Sequence, residues 1–220
     1  MRLDLHSHSR YSPDSKLDPI DIVKVARSRG LDGIAVTDHN SVGGAAKARE
    51  YGRGIGVTVV LGTEVSTSEG HVLAYGVKDT IPRDLSPRET VERIAALGGV
   101  SVAAHPYRFW SGLGEEETVA VPFAAYEVRN ARTLRGGNAK ATALAASRGV
   151  AGIGGSDAHF LEEIGRAVTV VEDASTAAEV LEAVRKGRVR GEGIDRGASA
   201  TVRYVTKCVG QWILRGMRRI

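Results

Sequence analysis

The six histidines of this 220-residue chain, His6, His8, His39, His71, His105 and His159, all fall in short clusters at an end of a hydrophobic, strand-like run: LDLHSH, GIAVTDHN, GHVLAYG, VSVAAHP and GIGGSDAH. Imidazole is the commonest protein ligand of transition metals, and hydrolytic metal sites combine it with carboxylates while keeping a position open to water. Asp4, Asp14, Asp38, Glu64 and Asp157 stand in or beside the same clusters. His6 and His8 are two residues apart, so on an extended segment both point to one face and can bind one ion together; Asp157 and His159 repeat that spacing. Asp38, next to His39, reads as a group that orients a ligand imidazole, and Asp4 as either such a group or a structural strand end. The donor set is nitrogen and oxygen without thiolate, which suits Zn, Mn or Fe over Mg or Ca.

Clusters so far apart in sequence meet only if a scaffold returns the chain repeatedly to one place. Strand and helix signals alternate from the start. Leu3 to Leu5, Gly33 to Val36, Val57 to Leu61, Val72 to Val77, Val100 to Ala104, Ala124 to Val128, Val150 to Ile153 and Ala167 to Val171 read as strands. Helices are predicted from Asp18-Pro19 to Gly30, over Gly44 to Tyr51, from Pro87 to Gly98-Gly99, and near Asn138 to Ser147 and Thr176 to Lys186. This alternation implies an α/β fold with a mainly parallel sheet covered by helices. The clusters fall mostly at C-terminal strand ends, where βα barrels build their active sites, although His71 opens its strand. The Gly-containing stretch from Arg108 to Pro122 reads as a mobile loop.

Composition narrows the class. With 42% hydrophobic residues the chain can bury one substantial core. Its single cysteine, Cys208, excludes an internal disulfide framework and fits a reducing compartment. Met1 to Ser9 lacks a signal-peptide pattern, so a cytoplasmic location is expected. The net charge of +4 does not signal nucleic acid: residues 201–220 hold five basic residues and no acid, which leaves 25 basic groups against 26 acidic ones in the body. No stable nucleic-acid complex is expected.

The ordered set H-x-H, T-D-H, a strand-end Glu, H-P and S-D-A-H resembles the PHP (polymerase and histidinol phosphatase) domains, from Met1 to about residue 190. The resemblance implies a distorted (β/α)7 barrel and hydrolysis of phosphate esters at a two- or three-metal centre. It implies His6, His8, Glu64 and Asp157 on one ion, Glu64 bridging to a second held by His71 and His105, and Asp14, His39 and His159 on a third. Asp14 stands where many relatives have histidine. Within this picture Glu64, His6, His8 and Asp157 are the catalytic core, and a hydroxide shared between two ions is the nucleophile, its pKa lowered by the metals. Arg108, Arg132 and Asn130 are the candidates for gripping a phosphate, since arginine can fork onto two of its oxygens.

The expected substrate is a small phosphorylated metabolite or nucleotide, with a short oligonucleotide also open. Hydrolysis of a different bond, or a non-catalytic metal-binding scaffold, remain the alternatives. Domain organisation is read as residues 1–200 for the barrel and 201–220 for a basic amphipathic helix. Val205, Val209, Trp212, Ile213 and Met217 form its apolar stripe, suited to pack on the barrel, a partner subunit or a membrane surface.

Overall fold

The structure is a computed structural model that describes residues 1–195. The basic stripe expected over 201–220, and the boundary placed at 200, lie outside the described residues.

Nine strands close into a barrel in the order β1-β2-β3-β4-β5-β6-β7-β9-β8. The strands are β1 Arg2–Asp4, β2 Gly33–Val36, β3 Thr58–Thr67, β4 Gly70–Tyr75, β5 Val100–Ala103, β6 Ala125–Asn130, β7 Ala151–Gly155, β8 Ala167–Val171 and β9 Val189–Gly193. The helices are α1 Pro19–Ser28, α2 Gly43–Ile55, α3 Pro87–Ala96, α4 Gly114–Ala120, α5 Arg135–Arg148 and α6 Ala177–Arg185. Among the described strands only β4 and β8 run against their neighbours; the other seven share one direction. The α/β barrel agrees with the sequence expectation, while its strand count departs from a simple seven.

Local chemistry explains most boundaries. Asp18 caps α1 by accepting from the Ile20 amide, with Pro19 at the first helical position, and Gly30 follows the helix at φ 70°. Ser86 with Glu89 and Thr176 with Glu179 form reciprocal capping boxes on α3 and α6. No helix among the described residues is long and apolar enough to cross a membrane.

Three elements differ from expectation. The Arg108–Pro122 segment is not all loop: α4 occupies Gly114–Ala120, with Glu115, Glu116 and Glu117 in its first turn, where negative charge is favoured. Strand β9 was invisible in the sequence because Arg190 and Glu192 alternate with glycines in place of apolar residues. Gly191 is needed there, since a Cβ would lie 2.6 Å from the Ile153 carbonyl oxygen of β7. Strand β3 runs to Thr67 rather than Leu61, because it forms a hairpin with β4.

Candidate metal centre

Strands β1, β2, β5, β6 and β7 deliver their C-terminal extensions to one end of the barrel, and backbone hydrogen bonds splice those extensions together. The Asp157 amide donates to the His6 carbonyl at 2.7 Å and the His8 amide to the Ala158 carbonyl at 2.9 Å, so the H-x-H and S-D-A-H segments lie side by side. His39 bridges Glu64, and the Asn40 amide donates to the Glu64 carbonyl at 2.9 Å. In the β3–β4 hairpin Glu64 pairs with Leu73 and Ser66 with His71, which puts Glu64 and His71 on one face as diagonal neighbours. Three of the five non-glycine residues at positive φ among the described residues belong here: Asn40 at 53°, His105 at 28° and Asp157 at 55°. Such backbone costs energy and persists where surrounding contacts enforce it, commonly at functional sites.

The side chains converge on Glu64, which is 1% exposed. Its Oε1 lies 2.8 Å from His105 Nε2 and 2.9 Å from His71 Nδ1, while its Oε2 lies 3.1 Å from the Nε2 atoms of both His6 and His8. Those two Nε2 atoms are themselves 3.1 Å apart, and Asp157 Oδ1 is 3.4 Å from that of His8. At the far side Asp14 Oδ2 is 2.6 Å from His159 Nε2 and 3.7 Å from His39 Nε2. All nine expected ligands are therefore gathered. Their grouping is tighter than three separate sets: His8 stands with Asp14 and His159, and also with His39 and Glu64, as well as with His6 and Asp157.

These residues fit divalent metal ions. Donors about 2.0–2.2 Å from a zinc-type ion stand about 3.0–3.5 Å apart around it, which matches the edges measured here. Two imidazole Nε2 atoms facing each other beside a carboxylate oxygen leave lone pairs that at most one shared proton can serve. Among the described residues, the buried Nδ1 atoms of His39 and His105 have no hydrogen-bond partner.

The electrostatics say the same. Burial works to raise the Glu64 carboxyl, yet the imidazoles of His6, His39 and His71 hold it well below the usual carboxylate range. Asp157 is likewise held low against its burial, first by Arg108, then by His6 and Arg132. Burial keeps His39 neutral, with a pKa of about 3, and lowers His105 and His159. Burial also opposes charge on His8, but hydrogen bonds to Asp157 and Glu64 outweigh it and lift the pKa to about 9. The anionic cluster thus draws positive charge into its centre.

Carboxylates outside the ligand set hold it in place. Glu127, fully buried on β6 and not singled out in the sequence, accepts from His6 Nδ1 at 2.9 Å, from the His105 amide at 2.8 Å and from Asn130 Nδ2 at 3.1 Å. Its only sequence signal was a charged residue inside an apolar strand, Ala-Tyr-Glu-Val. Asp4 accepts from the backbone amides of His6, Ser156 and Gly165, and burial lifts its pKa to about 6 despite those bonds. Asp38 does not orient His39 as expected; it accepts from Ser9, through the amide at 2.5 Å and the hydroxyl at 2.7 Å. Gly44 makes room for it, since a Cβ there would sit 1.9 Å from Asp38 Oδ2.

The three expected phosphate-binding residues all gather at Asp157. Arg108 Nη1 donates to Asp157 Oδ2 and keeps part of its side chain exposed. Arg132 Nη1 lies 3.5 Å from Asp157 Oδ1 and also meets His159 Nδ1. Asn130 is completely buried: its amide donates to Glu127 and to Asp157, and its oxygen accepts from the Arg132 amide and the Thr133 hydroxyl. With the donors and acceptors of its side chain engaged inside the protein, Asn130 braces Glu127 and Asp157.

Residues 4–81 match the PHP domain and residues 135–189 the PHP-associated domain. An uncharacterized protein of Methanocaldococcus jannaschii is 39% identical over 117 residues, which cover 49% of this chain and 68% of that protein. A phosphoribosyl 1,2-cyclic phosphate 1,2-diphosphodiesterase of Eggerthella lenta is 37% identical over 86 residues, 36% of this chain and 32% of that enzyme. The matched stretch thus spans about a third of the latter relative. Among solved structures, a two-domain protein of Bacteroides vulgatus containing a predicted PHP-like metal-dependent phosphoesterase superposes with a TM-score of 0.74 at 20% identity, covering 94% of this chain and 70% of that one.

Proposed function

This chain belongs to the PHP family, and from that premise we propose that it is a metal-dependent phosphoesterase that hydrolyses a small phosphorylated metabolite or nucleotide at a centre of two to three Zn, Mn or Fe ions. His6, His8, Glu64 and Asp157 would hold one ion, Glu64, His71 and His105 a second, and Asp14, His39 and His159 a third. The carrying observation is the division of labour on one buried carboxylate: Oε1 of Glu64 faces His105 and His71, while Oε2 faces His6 and His8. A bridging ligand has that arrangement.

Bound divalent ions supply a lowered pKa for the attacking water and Lewis-acid contacts to the phosphate and leaving oxygens. The protein's own residues do the rest. Glu127 accepts a hydrogen bond from His6 Nδ1–H, so that Nε2 turns its lone pair to the centre. Arg108, partly exposed beside Asp157, is placed to exchange that carboxylate for a phosphate oxygen, and Arg132 flanks it from the buried side. The Eggerthella lenta relative, whose name describes cleavage of a phosphoribosyl cyclic phosphate, supports a small ester as substrate.

The test is elemental analysis of protein purified without chelator, together with a phosphate-ester panel. Two to three transition-metal equivalents are expected, and Glu64→Gln should lower both metal content and turnover. Full-rate hydrolysis by metal-free wild-type protein would overturn the proposal.

A further inference from the structure

Among the described residues, the two most exposed apolar side chains lie on a loop that carries candidate site residues. Of the seven large hydrophobic residues exposed among the described residues, Phe109 and Trp110 are by far the most open, at 86% and 90%. Tyr11 and Leu134, also exposed, lie on two other loops that carry candidate site residues. These loops follow β1, β5 and β6, strands of common direction, so they share one end of the barrel, the end where Glu64 gathers the histidines.

The aromatic pair stands on a fixed base. The Arg108 amide donates to the His105 carbonyl at 2.9 Å, the Gly112 amide to the Arg108 carbonyl at 3.0 Å and the Gly114 amide to the Pro106 carbonyl at 2.9 Å. The loop closes so tightly that a Cβ on Gly112 would lie 2.4 Å from the Pro106 oxygen. Phe109 and Trp110 meet edge to face at 4.7 Å, at its tip. Their immediate neighbour is Arg108, whose guanidinium reaches Asp157. Consecutive Cα atoms are about 3.8 Å apart, so the rings begin within a residue or two of the group placed to hold phosphate.

Leaving two large rings in water has a cost that a bound planar ring would offset, because aromatic side chains stack on any π-face with little regard to its edge chemistry. We propose that Phe109 and Trp110 form a stacking platform at the mouth that selects phosphate esters whose organic part carries a planar aromatic ring, a nucleobase or an arene. The platform rests on the phosphoesterase reading of the site: Arg108 and the metal centre take the phosphate, and the ring lies outward against the loop tip. Phe109 and Trp110 are specificity residues and not catalytic ones.

Hydrolysis of three esters tests this: a nucleoside monophosphate, p-nitrophenyl phosphate and glycerol phosphate. The F109A/W110A double variant should lower the ratio of kcat/KM for ring-bearing over aliphatic esters by about ten- to hundredfold, the range of one ring stack. The conservative F109Y/W110F pair should restore the ratio. Melting temperature and metal content of each variant establish that it is folded and loaded. Trp110 and Trp212 are the chain's two tryptophans, so in a W212F background Trp110 fluorescence should also quench saturably with adenosine. An unchanged ratio in the double variant, absent quenching, or a shift of the double variant to a smaller oligomer would overturn the platform, the last by showing that the rings cover a subunit interface. If adenosine quenches while no ester is turned over, the platform stands and the phosphoesterase reading fails, so the two are distinguishable.

Discussion

Glu127 Oε1 and His6 Nδ1 lie 2.9 Å apart, both completely buried, and this contact decides which way the first histidine of the H-x-H pair faces. With its Nδ1 proton held by Glu127, His6 presents Nε2 to Glu64 and His8. Orienting partners of this kind typically change metal affinity about 10- to 100-fold. Glu127→Ala should weaken metal binding by that factor, measured by competition with a chromogenic chelator. Glu127→Gln, which keeps one carbonyl acceptor, should lose less. Equal affinity in wild type and both variants would show that the contact does not govern the ligand.

Arg108 and Arg132 should separate in their effects. Arg108→Ala removes the more exposed guanidinium and should reduce kcat/KM by about 1.5–3 kcal/mol, the value of a charged hydrogen bond, with metal content intact. Arg108→Lys should recover little, because a point charge does not reproduce the fork. Arg132→Ala takes a partner from both Asp157 and His159 and should lower metal content as well. Unchanged catalytic efficiency in the Arg108 variants would return that residue to a structural role.

The metal-free protein should be sensitive to alkali. His8 is lifted from its ordinary value of about 6.5 to about 9 when folded. A group raised on folding contributes stability that is fully present below the unfolded pKa and is lost as pH rises through the folded one. The chelated protein should therefore lose melting temperature between about pH 6.5 and pH 9 relative to His8→Asn. Metal affinity should rise over the same window, since a cation must displace that proton. Flat behaviour of both quantities across the window would contradict the assignment.

Gly155 tests the packing behind the site. A Cβ there would lie 2.4 Å from the His6 Cβ and 2.9 Å from the His6 amide nitrogen. Gly155→Ala should cost about 1–3 kcal/mol of stability as an overpacking change and should displace His6, lowering metal occupancy. A thermal melt with elemental analysis reads both, and a variant as stable and as metal-rich as wild type would mean that β7 shifts freely.

The residues that gather around Glu64 were legible in the chain because metal chemistry restricts residue type so strongly: few positions other than a metal site call for H-x-H, S-D-A-H and a strand-end glutamate together. Capped helices and buried strands were legible for a similar reason, as Asp18-Pro19, Ser86 with Glu89 and Thr176 with Glu179 act on amides two or three residues away. What tertiary structure alone decided was everything set by pairs distant in sequence. Glu127 lies 121 residues from His6, Asn130 is occupied by Glu127 and Asp157, and Asp38 turns to Ser9 instead of its neighbour His39. A carboxylate's local sequence does not reveal which donor the closed barrel will bring to it. Strand β9 was hidden for the same physical reason: its glycines are demanded by the close approach of β7 and β8 across the barrel wall, and only closure creates that demand.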